Sequence, residues 1–318
     1  MQTKQLQTQL HLWPSLQGGK ATLINLSENH TFLIDTPNGE KHIIRVHRPL
    51  YQSLAAIKSE LLWLQALKND TDLPLITPLE GVDGELVQQV ALGNSQTSYA
   101  VRFAFEKGCE GDSANLDELF ADLGRFAAIC HKHVERWQKP SGFSRPTWDL
   151  NTILEKNGLW GNWRKAPKVK GEILEILEKA EVKARHKLLA YGKEKHRFGL
   201  IHADMRFANV LVDNGKSRLI DFDDCGFGWF AYDFAASVSF FEHDEIVPKL
   251  KQIWLKAYRE VRPFSQEDGD IIDTTVFLRR MALLAWIESH KETKLAQSHA
   301  GDFAINSAQL AESFLLKN

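Results

Sequence analysis

The hydrophobic pattern changes period about a third of the way along the chain, and that change limits what the chain can fold into. Up to residue 104 the apolar residues fall in short β-favouring runs, Ala21–Leu26, Thr31–Asp35, Lys41–His47, Glu85–Leu92 and Thr97–Phe105. Turn residues such as Pro37-Asn38-Gly39 and Gly93-Asn94 separate them. One stretch among them, Ser53–Leu67, instead places Leu54, Ile57, Leu61, Leu64 and Leu67 at helical spacing, with Glu60 beside the apolar stripe. From about Gly111 the helical period takes over, in Leu116–Trp137, Lys170–Tyr191, Glu245–Val261, Asp270–His290 and Asp302–Leu316. The expected fold is α+β with two lobes. Residues 1–104 would form a small antiparallel sheet with one helix, and residues 105–318 a larger, mainly α-helical lobe. A chain of 318 residues is long enough for two cores.

A single β-type island, Gly199–Phe222, interrupts the helical half, and the chemistry-bearing residues lie there. His202-Ala203-Asp204 is followed five residues after the aspartate by Asn209, then by two apolar strands and Asp221-Phe222-Asp223. This is the layout of the protein-kinase catalytic loop H-x-D-x-x-x-x-N and its metal-binding Asp-Phe-x. The strands are joined by Asp213-Asn214-Gly215-Lys216, and Asn-Gly is a type I′ hairpin signal because both central residues need positive φ. Such a hairpin folds Asp221 back beside Asn209. Phosphoryl transfer depends on positioning and cationic stabilisation, and Mg²⁺ takes hard oxygen ligands. Asp221 and Asn209 are therefore the expected metal ligands. Asp204 is the expected catalytic residue, accepting the proton of an incoming hydroxyl, and an ordinary carboxylate pKa would suffice. His202 is read as bracing the loop, and Asp233, at the start of the apolar run Phe234-Ala235-Ala236, as a structural carboxylate.

The nucleotide end belongs to the first lobe. No G-x-x-x-x-G-K-[ST] loop occurs, which removes the P-loop class, and Ser27–Thr31 carries no glycine between the first two strands. Arg45, on the third strand, stands where a lysine would contact phosphates, and Glu60 is its expected partner; a guanidinium forks well onto phosphate oxygens.

The bulk properties narrow the remaining classes. A net charge of −2 gives no footprint for nucleic acid. Cys109, Cys130 and Cys225 are too scattered for a disulfide framework or a metal knot, which points to a reducing cytoplasm. Met1–Gln9 is polar and Gln-rich, unlike a signal peptide, and no apolar run is long enough to cross a membrane.

These motifs resemble those of the aminoglycoside phosphotransferase and choline kinase-like superfamily, notably bacterial members grouped with stress-response kinase A and type II homoserine kinase. The likeness covers nearly the whole chain: Ser27-Glu28-Asn29 with Phe32, Ile44-Arg45-Val46-His47-Arg48, and His202 to Asp233, with Ala203 where glycine is frequent. The resemblance implies a protein kinase-like fold using ATP, or GTP given Arg45 in place of lysine, with Mg²⁺. It places Ser27 and Asn29 in the nucleotide hairpin and a hinge near 101–105, with Arg102 and Phe103, whose backbone would hold adenine. Leu211 and Ile220 would form an apolar floor. Acceptor-side candidates are Trp148, Asp149, Asp223, Trp229, Tyr232 and Glu242, an acidic and aromatic set suited to a hydroxylated amine by cation–π contact. The expected acceptor is the hydroxyl of a small metabolite (amino alcohol, hydroxy amino acid, sugar or aminoglycoside). A serine/threonine protein kinase and a nucleotide-binding protein without turnover remain as alternatives.

Overall fold

The computed structural model describes residues 1–26, 29–49, 51–93, 95–111 and 115–317. Ser27, Glu28 and Asn94, all singled out above, lie outside them. The chain divides into two compact units. The first comprises Met1–Cys109, Lys139–Arg145 and Val212–Asp223, and the second Glu110–Gln138, Pro146–Leu211 and Asp224–Asn318.

The first unit opens with helix α1 (Thr3–Gln7) and two 3₁₀ turns, then strands β1 (Lys20–Leu26), β2 (Asn29–Asp35) and β3 (Lys41–His47), helix α2 (Leu54–Asp70), and strands β4 (Pro78–Leu79), β5 (Val87–Gly93) and β6 (Gln96–Ala104). The strands form one sheet in the order β1-β2-β3-β6-β4, with β5 also on β6, and every pairing is antiparallel. Side chains alternate across it with period two. The register Phe32↔Ile44↔Arg102 therefore points one way, and Thr31↔Arg45↔Val101 the other.

The first face forms a dry core from Phe32, Ile34, Ile44, Val46, Val90 and Ala100, covered by Leu6, Leu10, Trp13 and Leu16. The N-terminal segment is thus not the polar tail its glutamines suggest. Apolar residues every three or four positions bury it, while Gln5 and Gln9 donate to the β5 backbone and Gln7 accepts from the Ala21 amide of β1. On the other face α2, capped by the Ser53 hydroxyl, brings Glu60 to Arg45.

The chain leaves this unit at β7 (Cys109–Glu110) and enters the second through α3 (Leu116–Val134). There follow β8 (Thr147–Trp148), α4 (Leu150–Leu154), α5 (Glu172–Tyr191), β9 (Phe198–Ile201) and β10 (Val210–Asp213). The chain then passes through β11 (Lys216–Leu219) to β12 (Gly226–Trp229), α6 (Tyr232–Ser237), α7 (Val247–Arg259), α8 (Gln266–Ser289), α9 (Lys294–His299) and α10 (Phe303–Leu316). The expected hairpin is present: Asn214 and Gly215 have φ of 50° and 74°. A small sheet, β8-β12-β9, escapes a periodicity reading because β8 has two residues and β12 contains two glycines. Helix α3 packs on α7 at Gly124, where a Cβ would come within 2.5 Å of the Trp254 carbonyl oxygen. Helix α8 is buried nearly all round, as expected of a helix running through a core.

This is a protein-kinase-like fold, an antiparallel sheet unit and a mainly helical one. Among the described residues no helix is long and apolar enough to cross a membrane.

The sheet cover yields a first prediction. Trp13 is fully buried, so Trp13→Ala should cost about 3–5 kcal/mol. Urea unfolding of the variant checks this, and a loss below about 1 kcal/mol would mean the N-terminal cover is dispensable.

Candidate active site

Within the first unit, the Arg45 guanidinium donates through Nη2 to both Glu60 oxygens at 2.7 and 2.6 Å. Its Nη1 lies 3.3 Å from Asp221 Oδ1, and the group sits 5.3 Å from the Phe103 ring centroid. Burial opposes the charge on Arg45, but Glu60, Asp223 and Asp221 outweigh it and hold the pKa above its ordinary value. Burial pushes the Glu60 pKa up, and the Arg45 guanidinium, donating to both of its oxygens, opposes that rise.

Asp223 is buried in the same cluster. Its Oδ2 accepts from Asn29 Nδ2 at 2.9 Å, and its backbone oxygen accepts from Arg145. Burial alone would raise its pKa, but Arg45 and Arg145 pull it below the usual range. His47, 3.6 Å from Asp223, is driven down to about 3 by burial and Arg45, and is neutral. His47, Glu60 and Asp223 bring ligand atoms within 4.8 Å of one another, yet two guanidinium groups beside them disfavour a cation there. Asp221 differs from its neighbours: its side chain is 46% exposed and its φ is 60°, a left-handed conformation uncommon for residues other than glycine, though aspartate tolerates it better than most.

Within the second unit, β9 delivers His202-Ala203-Asp204. Ala203 has φ of 66°, which explains why glycine is frequent there in the superfamily the sequence resembles. The turn is held by Asp233 at the start of α6, whose carboxylate accepts from the Ala203 and His202 amides at 2.7 and 3.2 Å. It also accepts from His131 Nε2 at 3.0 Å, while His131 Nδ1 lies 2.9 Å from the Tyr258 hydroxyl. Burial lowers the His131 pKa, so the ring is neutral; a carboxylate can only accept, which puts the proton on Nε2. His202 braces the loop, as its Nδ1 accepts from the Asp204 amide at 3.3 Å.

The Asp204 carboxylate is clamped from three sides. Arg279 Nη2 donates to Oδ1 at 2.7 Å; Arg206 Nε and Asn209 Nδ2 donate to Oδ2 at 3.1 and 2.7 Å. Burial would raise its pKa, but Arg206 and Arg279 outweigh that and hold it below the ordinary range. Asp204 is therefore ionised, and more firmly than the unperturbed carboxylate expected from sequence. Asn209 also donates to the Asp204 carbonyl at 2.8 Å. With its amide nitrogen committed there, its side-chain oxygen is the atom left for a ligand.

The phosphotransferase enzyme family pattern matches residues 21–264, running from the first unit into the second. The chain belongs to that family. One similar solved structure is that of a microcompartment-associated aminopropanol kinase, 38% identical, with a TM-score of 0.92 over 99% of this chain and 98% of that one. An amicoumacin kinase in complex with AMP-PNP, Ca²⁺ and Ami shares the fold, at 18% identity and a TM-score of 0.74 over 97% of this chain and 91% of that one. Among curated relatives, amicoumacin kinase of Bacillus subtilis is 27% identical over 211 residues, 65% of this chain and 59% of that protein. The match spans less than two thirds of the length of that relative.

Oxygen donors of the type a hard cation takes are present in each unit: in the first the solvent-reaching carboxylate of Asp221, and in the second the side-chain oxygen of Asn209. The other expected nucleotide residues divide. Phe103 shares the Arg45 face, whereas Arg102 lies on the opposite one, its Nη2 3.3 Å from His42. Leu211 and Ile220 are half-buried.

Most acceptor-side candidates are occupied by structure. Trp148 and Trp229 are buried and donate to the carbonyls of Asp224 and Gly192. Asp149 caps α4 and pairs with Lys193 at 2.6 Å, and Glu242 pairs with Arg280 at 2.6 Å out of reach of solvent. Tyr232 is buried, and with Trp160 it faces the Arg279 guanidinium, 5.9 and 5.3 Å from the two ring centroids. The aromatic walls that might have held a substrate cation hold one belonging to the chain. Arg279 went unread in the sequence; the available signal was Leu278-Arg279-Arg280-Met281, two arginines in a helix apolar on every side.

A pH prediction follows from His47. Its folded pKa, about 3, lies below the unfolded value near 6.5, so the unfolded state binds the extra proton between them. Its contribution is full above the unfolded value and is lost as pH falls toward 3. Unfolding free energy measured across that window should fall by up to about 1.4 kcal/mol per pH unit more steeply in wild type than in His47→Gln. Parallel slopes would refute the burial of a neutral imidazole.

Proposed function

We propose that the chain is a Mg²⁺-dependent kinase that moves the γ-phosphoryl group of ATP to the hydroxyl of a small amino alcohol. The observation that carries this reading is Asp204, an ionised carboxylate anchored by Arg206, Asn209 and Arg279. The acceptor class is supported by the similarity to the aminopropanol kinase, which extends over 99% of the chain.

Each residue has a definite part in this reading. The first unit binds nucleotide, with Arg45 offering its guanidinium to phosphate oxygens while Glu60 holds it in place. Asn29 and Phe103 flank that site. Asp221 of the first unit is the carboxylate donor for a cation, which when bound would offset the phosphate charge, and Asn209 of the second unit offers an amide oxygen of the same hard type. Asp204 accepts a hydrogen bond from the acceptor hydroxyl, orients its oxygen toward the phosphorus and takes its proton. The Asp233 carboxylate fixes the backbone from which Asp204 projects.

An ADP-release assay with a panel of amino alcohols, hydroxy amino acids, sugars and aminoglycosides, run with ATP and with GTP, tests this. Asp204→Asn should lower kcat by roughly 10²- to 10⁴-fold. Asp221→Ala should abolish the thermal stabilisation that Mg-ATP gives to wild type. If no acceptor drives ADP release and millimolar Mg-ATP leaves the wild-type Tm unchanged, the kinase reading fails.

A further inference from the structure

Of the non-glycine residues with positive φ among those described, Phe240 is the bulkiest, at 77°. A large side chain in the left-handed region is a true outlier, and such strain persists only where the surroundings over-determine it. They do so here. The Phe240 ring stacks on His299 at 4.4 Å and meets Trp286 and Phe303 edge-on or tilted at 5.8 and 6.0 Å.

Two residues on, Glu242 is pinned by Arg280, which also donates to Ser307 Oγ and the Phe303 carbonyl. One residue before, Ser239 accepts from Arg279 Nε at 2.9 Å. The turn is thus clamped on both sides of Phe241 by consecutive arginines of α8, and Arg279 is the one that holds Asp204. Phe241 meets the segment that follows Asp204: its ring lies 6.1 Å from that of Phe207, three residues after Asp204, and both are half-buried.

We propose that Phe241, presented by the strained Phe240–Glu242 turn against Phe207, is an apolar wall of the acceptor site and selects acceptors by the bulk of their carbon skeleton. This rests on the amino-alcohol kinase reading above. The hydroxyl is directed to Asp204 while the hydrocarbon part packs on the phenyl rings, so the strain secures a fixed wall. Glu242 is not invoked as a substrate contact: it is buried, and its Oε2 is held by Arg280 at 2.6 Å.

The test is a kcat/KM series on ethanolamine, 1-amino-2-propanol and longer or branched homologues. Phe241→Ala should shift preference toward the bulkier acceptors by about 10-fold or more per added methylene, chiefly through the acceptor KM. Phe241→Trp should shift it the other way, and Phe241→Leu, the mildest change should Ala unfold the protein, should give a smaller shift toward bulk. Active variants that keep the wild-type order of preference overturn this inference and leave the kinase reading intact. A wild-type protein that phosphorylates none of the series overturns the amino-alcohol reading, and the inference with it.

Discussion

Two guanidinium groups buried side by side in the middle of α8 set the terms for the second unit. An unpaired charge in a core costs several kcal/mol, so each arginine must be met by an acid with good geometry. Arg279 is met by Asp204 and Arg280 by Glu242. Those two acids come from different segments, the loop after β9 and the turn after α6, so one short stretch of helix fixes both. The remaining donors of Arg279 reach Ser239 Oγ and the Ala203 carbonyl, and those of Arg280 reach Ser307 and the Phe303 carbonyl. The helix thereby serves as the rigid reference against which the catalytic loop is positioned.

The first unit solves the same problem with a different geometry. Arg45 is buried on the sheet face away from the N-terminal cover, met by Glu60 from α2 and, at its other terminal nitrogen, by Asp221. Asp223 adds a further negative charge, itself satisfied by Asn29 and balanced by Arg45 and Arg145. The acids differ in exposure: Glu60 and Asp223 are buried, and Asp221 is almost half open. A ligand arriving from solvent therefore meets Asp221 first, while the buried acids keep Arg45 in place.

Much of this was legible in the sequence because it is local. The period-two runs became β1 to β3, β5 and β6, the helical periods became α2, α3, α5, α7, α8 and α10, and Asn214-Gly215 made the expected hairpin. The Asp204–Asn209 spacing closed as a loop held by their own side chains. What stayed hidden depends on partners far along the chain. Arg279 lies 75 residues from Asp204, and no local pattern ties them. Segments 139–145 and 212–223 fold with the first unit although the one follows α3 and the other lies deep in the helical half. The acceptor candidates rest on acidic and aromatic chemistry in segments expected to approach the catalytic loop; the structure shows caps, ion pairs and core packing at Asp149, Glu242 and Trp229, roles that sequence alone does not distinguish from binding.

The electrostatics around Asp204 favour orientation over basicity. Two arginines and an amide stabilise its ionised form and so weaken it as a base. In a reaction where the acceptor hydroxyl must lose its proton early, that would be a handicap. Phosphoryl transfer runs through a loose transition state in which the attacking oxygen has formed little bond, so the proton leaves late and needs little pull. A carboxylate that stays ionised and cannot rotate then serves better than a stronger base that can. In the proposed reaction its hydrogen bond to the hydroxyl would fix the line of attack, and geometry of that kind can contribute several kcal/mol to a rate. The surroundings of Asp204 match this demand: one oxygen is bonded to a residue buried in α8, the other to Asn209 and Arg206 of its own loop. Freedom to rotate is removed from both ends of the carboxylate.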